Sequence, residues 1–376
     1  MDVGRDPVTG KRRQQTVTVH GTKRDAEREL RVILDRIEGG AYIKPTKMTV
    51  GEYLESWLWD YVRTNTAPST ADGYKDIARA HLVPSLGSVP LIGLQPSHIQ
   101  SYYTQMLESG RLDGKGGLSA QTVKHHHRVL YEALKHAVKH GTLIRNVAEA
   151  VDPPRSEKKE MATLGPDDVY VFLDAARNTP YYTLFYTALY TGLRRSELLA
   201  LRWRDVDLDL ATLSVVQTLH QIPREGYVFR EPKTKRSRRL VDLSPSLALL
   251  LREHRAKQAS TMILLGRHVI PDDLVFCYPD GAPLPPNSVT KAFHNLAKSL
   301  GLSSMRLHDL RHTHATLMLR QGIHPKIVSE RLGHSSIGIT LDTYSHVLPR
   351  LQAAAALQFD EGLQGTLEKA SVKQVG

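Results

Sequence analysis

The sequence predicts a mainly α protein with a small antiparallel β-sheet: a helical-bundle domain, then a mixed α/β domain, preceded by a small hairpin-and-helix module. Three observations carry this reading. Apolar residues recur at helical spacing from Met48 to about Val151. The segment from Pro153 to Glu160 is two prolines followed by charge, with nothing apolar to bury, so it reads as a linker. Beyond it, three short β-rich runs follow one another between two sets of helical patterns. Alternating strands and helices would mark a parallel nucleotide-binding sheet, and that pattern is absent.

The elements follow in order. Residues 1–47 are basic; Asp6–Lys11 reads as a hairpin turn leading into the alternating strand Gln15–Val19. Thr22 then caps a helix with apolar positions at Ala26, Leu30, Ile33, Leu34 and Ile37, ending at Gly39-Gly40. In the region 48–152, Thr49 opens a helix carrying Trp57 and Trp59, Ser69 a second, Gln95-Pro96 a third, and Ser119 a fourth that runs to about His140. Gly110–Gly117 is a loop. His125, His126 and His127 fall on three faces of the last helix, which argues against a shared metal and for surface or phosphate contact. Residues 153–163 form the linker and 164–350 the second domain, with helices near 166–177, 181–190 and 194–202. Strands follow at Leu213–Val216, Tyr227–Phe229 and Arg239–Leu243, and then helices to the end. Residues 351–376 form an Ala-rich and then polar tail, either a frayed terminus or an arm that docks on a neighbour.

At 376 residues the chain is long enough for two or three domains. Its 41% hydrophobic and 24% charged residues are those of a globular protein. A net charge of +11 favours a polyanionic partner, because cationic surface releases counterions from phosphates. Cys277 is the only cysteine, which excludes an intramolecular disulfide and a cysteine-rich zinc module and fits a reducing cytoplasm. No signal-like apolar N-terminus and no apolar run of membrane-spanning length is present. The glycines form neither a phosphate-binding loop nor a dinucleotide fingerprint.

Four segments carry chemistry. In Thr191–Leu198, Gly192 ends one helix and presents Arg194 at the start of the next turn, with Glu197 three residues on, able to fix it; an ordinary surface ion pair has the same spacing. Pro232–Arg239 is a cationic loop between two predicted strands, suited to phosphate contact or, through one lysine, to proton donation; a solvated basic turn fits equally. In Arg306–Thr316, His308 and Arg311 share a helical face and could both donate to a phosphodiester. His308 and His312 could instead ligate a metal, but Asp309 stands where a zinc protease carries glutamate. Finally, Leu332–Ser336 and Thr340–His346 supply His334 and, ten positions later, Tyr344; by itself Lys326–Tyr344 reads as a helix-turn-helix with Gly333 at the turn.

Taken together, Arg194, Lys233, His308, Arg311, His334 and Tyr344, in the contexts TGLRRSEL, HDLRHTHAT, LGHSS and LDTYSH, resemble the signature of the tyrosine recombinases, and most closely the phage and integrative-element integrases. The bundle at 48–152 is similar to that family's core DNA-binding domain, and residues 1–47 to the end of an arm-binding domain. Related integrases carry a further strand before the segment at Asp6–Gly10, so the resemblance implies an incomplete arm module.

The resemblance implies an enzyme that breaks and rejoins DNA strands without metal, ATP or cofactor. Arg194, Arg311 and His334 would hold the non-bridging oxygens and Tyr344 would attack, displacing a 5′-hydroxyl and leaving a 3′-phosphotyrosyl bond. Lys233, or its neighbour Lys235, would protonate the leaving oxygen, His308 would assist proton movement at the tyrosine, and Glu197 would orient its neighbours. Cationic surroundings are expected to lower the phenol's pKa. Exchange of four strands implies a homotetramer on two double-stranded attachment sites in the bacterial cytoplasm, with a directionality factor and a host DNA-bending protein as candidate partners. A tyrosine-dependent topoisomerase and a non-catalytic helix-turn-helix regulator are the alternative readings.

Overall fold

The computed structural model describes residues 2–5, 12–14, 18, 20–38, 47–157, 161–222, 225–232 and 237–344, with a few positions between 356 and 364. The expected turn Asp6–Lys11, most of the strand Gln15–Val19, Gly39-Gly40, the loop residues Lys233–Arg236 and most of the tail lie outside the described residues. Contacts divide the chain into two units, Met1–Lys158 and Lys159–Gly376, and the proline-and-charge segment holds the division.

In the first unit Asp2–Arg5 pairs antiparallel with Arg12–Gln14. The second strand therefore starts ahead of the Gln15–Val19 run. The helix Lys23–Glu38 follows, its first turn closed by Thr22 and Asp25, whose carboxylate accepts from the Thr22 hydroxyl at 2.7 Å.

The bundle begins where Thr49 and Glu52 cap each other, with Thr49 N–H donating to Oε2 of Glu52 at 2.8 Å and Glu52 N–H to the Thr49 hydroxyl at 3.2 Å. The helix Val50–Trp57 widens into a π turn at Leu58–Val62. The helix Pro68–Ile77 does the same at Ala78–Leu82, which ends two residues before Pro84, whose missing N–H and bulky ring disrupt regular α bonding. Pro96–Ser109 and Ala120–Lys139 complete the set, packing around Leu54, Leu82, Ile99, Tyr103, Leu130 and Leu134.

His126 corrects the expectation of surface or phosphate contact. Its ring is buried and shares a 2.7 Å hydrogen bond with the Tyr102 hydroxyl; half-buried His127 does the same with Tyr103 at 2.6 Å. Only His125 stays on the surface, beside Gln121. His126 lies on the stripe Val123, His126, Leu130, Leu134, whose spacing of three and four is the core-facing pattern.

In the second unit, Pro166–Ala176 and Tyr182–Thr191 pack with Pro286–Ser299 through a Phe172–Phe185–Phe293 cluster, ring centroids 5.5–6.0 Å apart. The helix expected over 194–202 is only Arg195–Leu198, succeeded by a tight turn at Trp203–Asp205. Three short antiparallel strands form one sheet in the order Val206–Asp207, Thr212–Val215, Arg239–Asp242. A separate hairpin pairs Thr218–Ile222, a strand missed in the sequence, with Gly226–Arg230. Gly226–Arg230 and Arg239–Asp242, successive strands in the sequence, thus lie in different sheets. The helices Pro245–Leu264, Asp309–Arg320, Pro325–Leu332 and Ile337–Tyr344 end the described domain. Among the described residues no helix is long and apolar enough to cross a membrane.

Candidate active site

Two glycines set the backbone of the site. Gly192 ends Tyr182–Thr191 at φ +65°, and a Cβ there would lie 2.6 Å from Leu332 Cδ2 and 2.9 Å from His314 Cδ2. Only glycine meets both demands, a left-handed conformation and contact with two neighbouring side chains. Gly333 ends Pro325–Leu332 at φ +67°. The carbonyls around these two helix ends then become acceptors for arginine. Arg311 donates from Nη1 to Gly192 and from Nη2 to Leu332, both at 2.7 Å, and Arg194 from Nη2 to Gly333 at 3.3 Å.

Glu197 is the centre of the charge distribution. Its Oε1 accepts from Arg194 Nη1 at 2.7 Å and its Oε2 from the Arg194 backbone N–H at 2.9 Å. Arg239, from the sheet, reaches both oxygens, Nη2 to Oε2 at 2.9 Å and Nη1 to Oε1 at 3.2 Å. The Glu197 side chain is 1% exposed. Burial alone would raise its carboxyl, but the Arg239 hydrogen bonds and the charges of Arg239 and Arg194 outweigh this and hold it below the usual carboxylate range. Arg311 is also buried close by and feels the charges of Arg194, Glu197 and Arg239. One buried carboxylate thus faces three guanidinium groups. Of these, Arg194 has the most open side chain, 35% exposed.

The histidines differ in their anchoring. His334 Nδ1 lies 2.8 Å from the Thr340 hydroxyl, and burial, then the charges of Arg311 and Arg194, push it down to about 4. It is therefore neutral at pH 7, so Nε2 and Nδ1 divide the donor and acceptor roles. His308 sits at the start of Asp309–Arg320, its ring at right angles to that of His312 with centroids 4.9 Å apart.

Tyr344 departs from expectation. The phenol is 1% exposed, packed with Ala315, Leu319, Val328 and Leu332, and burial pushes its pKa up to about 12 against a smaller downward pull from Arg311. Cationic neighbours do not win here, because removing the phenolate from water costs more than they return. The imidazole within hydrogen-bond reach of the hydroxyl is His312, at 2.8 Å from Nδ1, with His308 one ring further away.

The structure therefore gathers Arg194, Glu197, Arg311, His308, His334 and Tyr344 in one domain around two helix ends. Lys233 lies outside the described residues. The sequence reading missed Arg239, His312 and Thr340. For Arg239 a signal existed: it alternates with buried Val241 and so points inward from its strand. Among the described residues no group of three or more histidine, cysteine or acidic side chains is placed to hold a metal.

A domain that closes three arginines around a buried carboxylate, with a histidine beside them and a tyrosine at the end of the helix Ile337–Tyr344, defines a phosphate-handling enzyme class with a tyrosine as candidate nucleophile. Residues 162–350 match the phage integrase family, and residues 49–107 the N-terminal SAM-like domain of phage integrases. The chain belongs to the phage integrase family: it is a tyrosine recombinase of the integrase kind, a site-specific DNA recombinase. It is 29% identical over 352 residues to a XerC-like tyrosine recombinase of Caldanaerobacter subterraneus, covering 89% of this chain and 88% of that protein. It is 28% identical over 360 residues to the ICEBs1 integrase of Bacillus subtilis, covering 95% of each. In fold it is similar to the Tn1549 transposon integrase in complex with circular intermediate DNA, with a TM-score of 0.68 at 23% identity, covering 83% of this chain and 99% of that one. A lambda integrase tetramer bound to a Holliday junction gives 0.59 at 20% identity, covering 90% of each.

Proposed function

We propose that Arg194, Arg311 and His334 hold the non-bridging oxygens of one DNA phosphodiester while Tyr344 attacks its phosphorus. The observation that carries this is the excess of fixed positive charge around Glu197. Three guanidinium groups and one carboxylate leave a site with an unmet demand for an anion, and a trigonal-bipyramidal phosphorane gathers negative charge where such donors are most effective. The Tyr344 oxygen bonds to phosphorus, the bridging 5′ oxygen leaves with the electron pair of the broken bond, and a 3′-phosphotyrosyl ester results. His312 receives the phenolic proton, with His308 beside it to assist. Lys233, or Lys235 in its place, protonates the leaving oxygen. Glu197 orients Arg194. The ester conserves the phosphodiester bond energy, so a 5′-hydroxyl from a second duplex reverses the step without ATP.

On this reading the region 48–152 and the catalytic domain 164–350 both grip double-stranded attachment sites, joined by the linker 153–163. The module at 1–47 reaches a separate DNA arm, and the tail at 351–376 contacts the next protomer of a homotetramer. The protein acts in the bacterial cytoplasm to integrate or excise a mobile element, with a directionality factor and a host DNA-bending protein as partners.

The test is adduct formation on a nicked substrate that traps the covalent complex. Tyr344→Phe should give no adduct while its DNA binding in a mobility-shift assay stays close to that of the parent protein. An adduct of undiminished yield would exclude Tyr344 as the nucleophile.

A further inference from the structure

Arg239 forms the most enclosed ion pair of the site, and so far it has counted only as one of the charges around Glu197. It opens the strand Arg239–Asp242 and its side chain is 6% exposed. Besides both Glu197 oxygens, it reaches the Ser237 carbonyl from Nη1 at 3.1 Å and the Arg331 carbonyl from Nε at 2.6 Å. Arg331 lies in the last turn of Pro325–Leu332, two residues before Gly333, whose carbonyl accepts from Arg194, and three before His334. One guanidinium thus grips the carboxylate that aims Arg194 and the helix end that presents His334.

We infer that Arg239 is a positioning residue for strand cleavage, which saturates the buried Glu197 carboxylate so that Arg194 keeps its aim and an uncompensated charge for the phosphate. The inference rests on the reading of Arg194 as a phosphate-holding residue. An isolated Arg194–Glu197 pair is neutral and offers an incoming phosphate little net attraction. Adding Arg239 makes the trio cationic. It also supplies the hydrogen bonds that a carboxylate at 1% exposure needs to remain ionised, since an underpaired buried carboxylate takes up a proton instead. Four groups face Glu197 or lie beside those that do: Arg194 on its own turn, Arg239 from the sheet, Arg311 from Asp309–Arg320, and the neutral His334 imidazole beyond them. In the parent protein these cations hold the carboxyl low, so Glu197 contributes no inflection to the cleavage rate near neutral pH. Without Arg239, burial is opposed by fewer cations and the carboxyl rises towards the neutral range.

The experiment is single-turnover cleavage of the nicked substrate by the full chain between pH 5.5 and 8.5, with DNA binding measured in parallel. Arg239→Met is expected to cleave roughly tenfold to a hundredfold more slowly at pH 6. Its rate should also climb with pH as Glu197 ionises, a dependence absent from the parent. The double variant Glu197→Gln/Arg239→Met removes the titrating group together with its partner, so it should be slow with no added inflection. Arg239→Lys keeps the charge and should retain the parent's pH profile; if Arg239→Met does not fold, this variant and the double variant carry the test. The inference is overturned if Arg239→Met cleaves within about threefold of the parent. It is equally overturned if Arg239→Met is slow with the parent's pH profile, or if Arg239→Lys is as impaired as the double variant. Arg194→Ala separates the two levels: undiminished cleavage by that variant would remove the phosphate-holding reading itself, whatever Arg239 does.

Discussion

The Tyr344 hydroxyl and Nδ1 of His312 lie 2.8 Å apart, and this bond ties the last described helix to Asp309–Arg320, which also carries Arg311. The phenol, pushed up to about 12, is fully protonated near neutral pH, so attack on phosphorus requires a base at hydrogen-bond distance. His312→Phe should therefore slow adduct formation by about a hundredfold while leaving DNA affinity close to that of the parent. Single-turnover cleavage at pH 7 checks this, and an unchanged rate would assign the proton to another acceptor.

Arg311 is held by two carbonyl acceptors at the ends of two helices. Lysine has one nitrogen and cannot span both, and among the described residues neither carbonyl has another side-chain partner to take its place. Arg311→Lys is expected to lower cleavage by about a hundredfold to a thousandfold, the range for loss of one fixed donor at a developing anion. Retention of most of the activity would show that charge alone, without the fork geometry, meets the need.

Gly192→Ala combines a left-handed backbone with a Cβ only 2.6 Å from Leu332 Cδ2. The expected loss is about 2–4 kcal/mol, from roughly 1 kcal/mol of backbone strain and 1–3 kcal/mol of overpacking. Urea unfolding measures it. Because Gly192 also supplies the carbonyl that receives Arg311, cleavage measured well below the unfolding midpoint should fall as well. A variant as stable as the parent would mean that Leu332 and His314 move aside without cost.

His126 gives the bundle a dependence on acid. Burial, helped by His81 and His125, pushes it down to about 4, against about 6.5 in an unfolded chain. The folded state thus binds fewer protons between these values. The stabilisation is complete above about pH 6.5 and is lost as pH falls towards 4, on the order of 3 kcal/mol in all. His126→Asn removes the titrating group, so its unfolding free energy should change less across that window. Equal slopes for the two proteins would place the acid sensitivity elsewhere.

Much of the fold was legible because helix starts are local events. Thr49 with Glu52, Gln95 before Pro96, and Ser119 before the long helix each announce a cap within four residues, and the helices begin there. Strand pairing is a choice among distant partners, and here the reading failed. Gly226–Arg230 turns back onto Thr218–Ile222, and Arg239–Asp242 joins Thr212–Val215 instead of the nearer strand. For the site, Arg194, Glu197, His308, Arg311, His334 and Tyr344 stood out through the resemblance of their motifs, in order, to those of the tyrosine recombinases. His312 did not, since nothing local separates one histidine among three from its neighbours, and for Arg239 the only local sign was its alternation with Val241 along the strand.

By itself, the sequence determined the class of protein, through the resemblance of its motifs to a known family, and it determined the helical segments and the chemical groups available to a phosphate, which follow from side-chain chemistry and short-range periodicity. Tertiary structure decided which of those groups are removed from water: Tyr344, His126 and Glu197 are all buried, against neighbours brought from other elements such as Leu319, Tyr102 and Arg239. Desolvation depends on everything packed around a group, and it is desolvation that leaves Tyr344 protonated, His126 neutral and Glu197 dependent on Arg239.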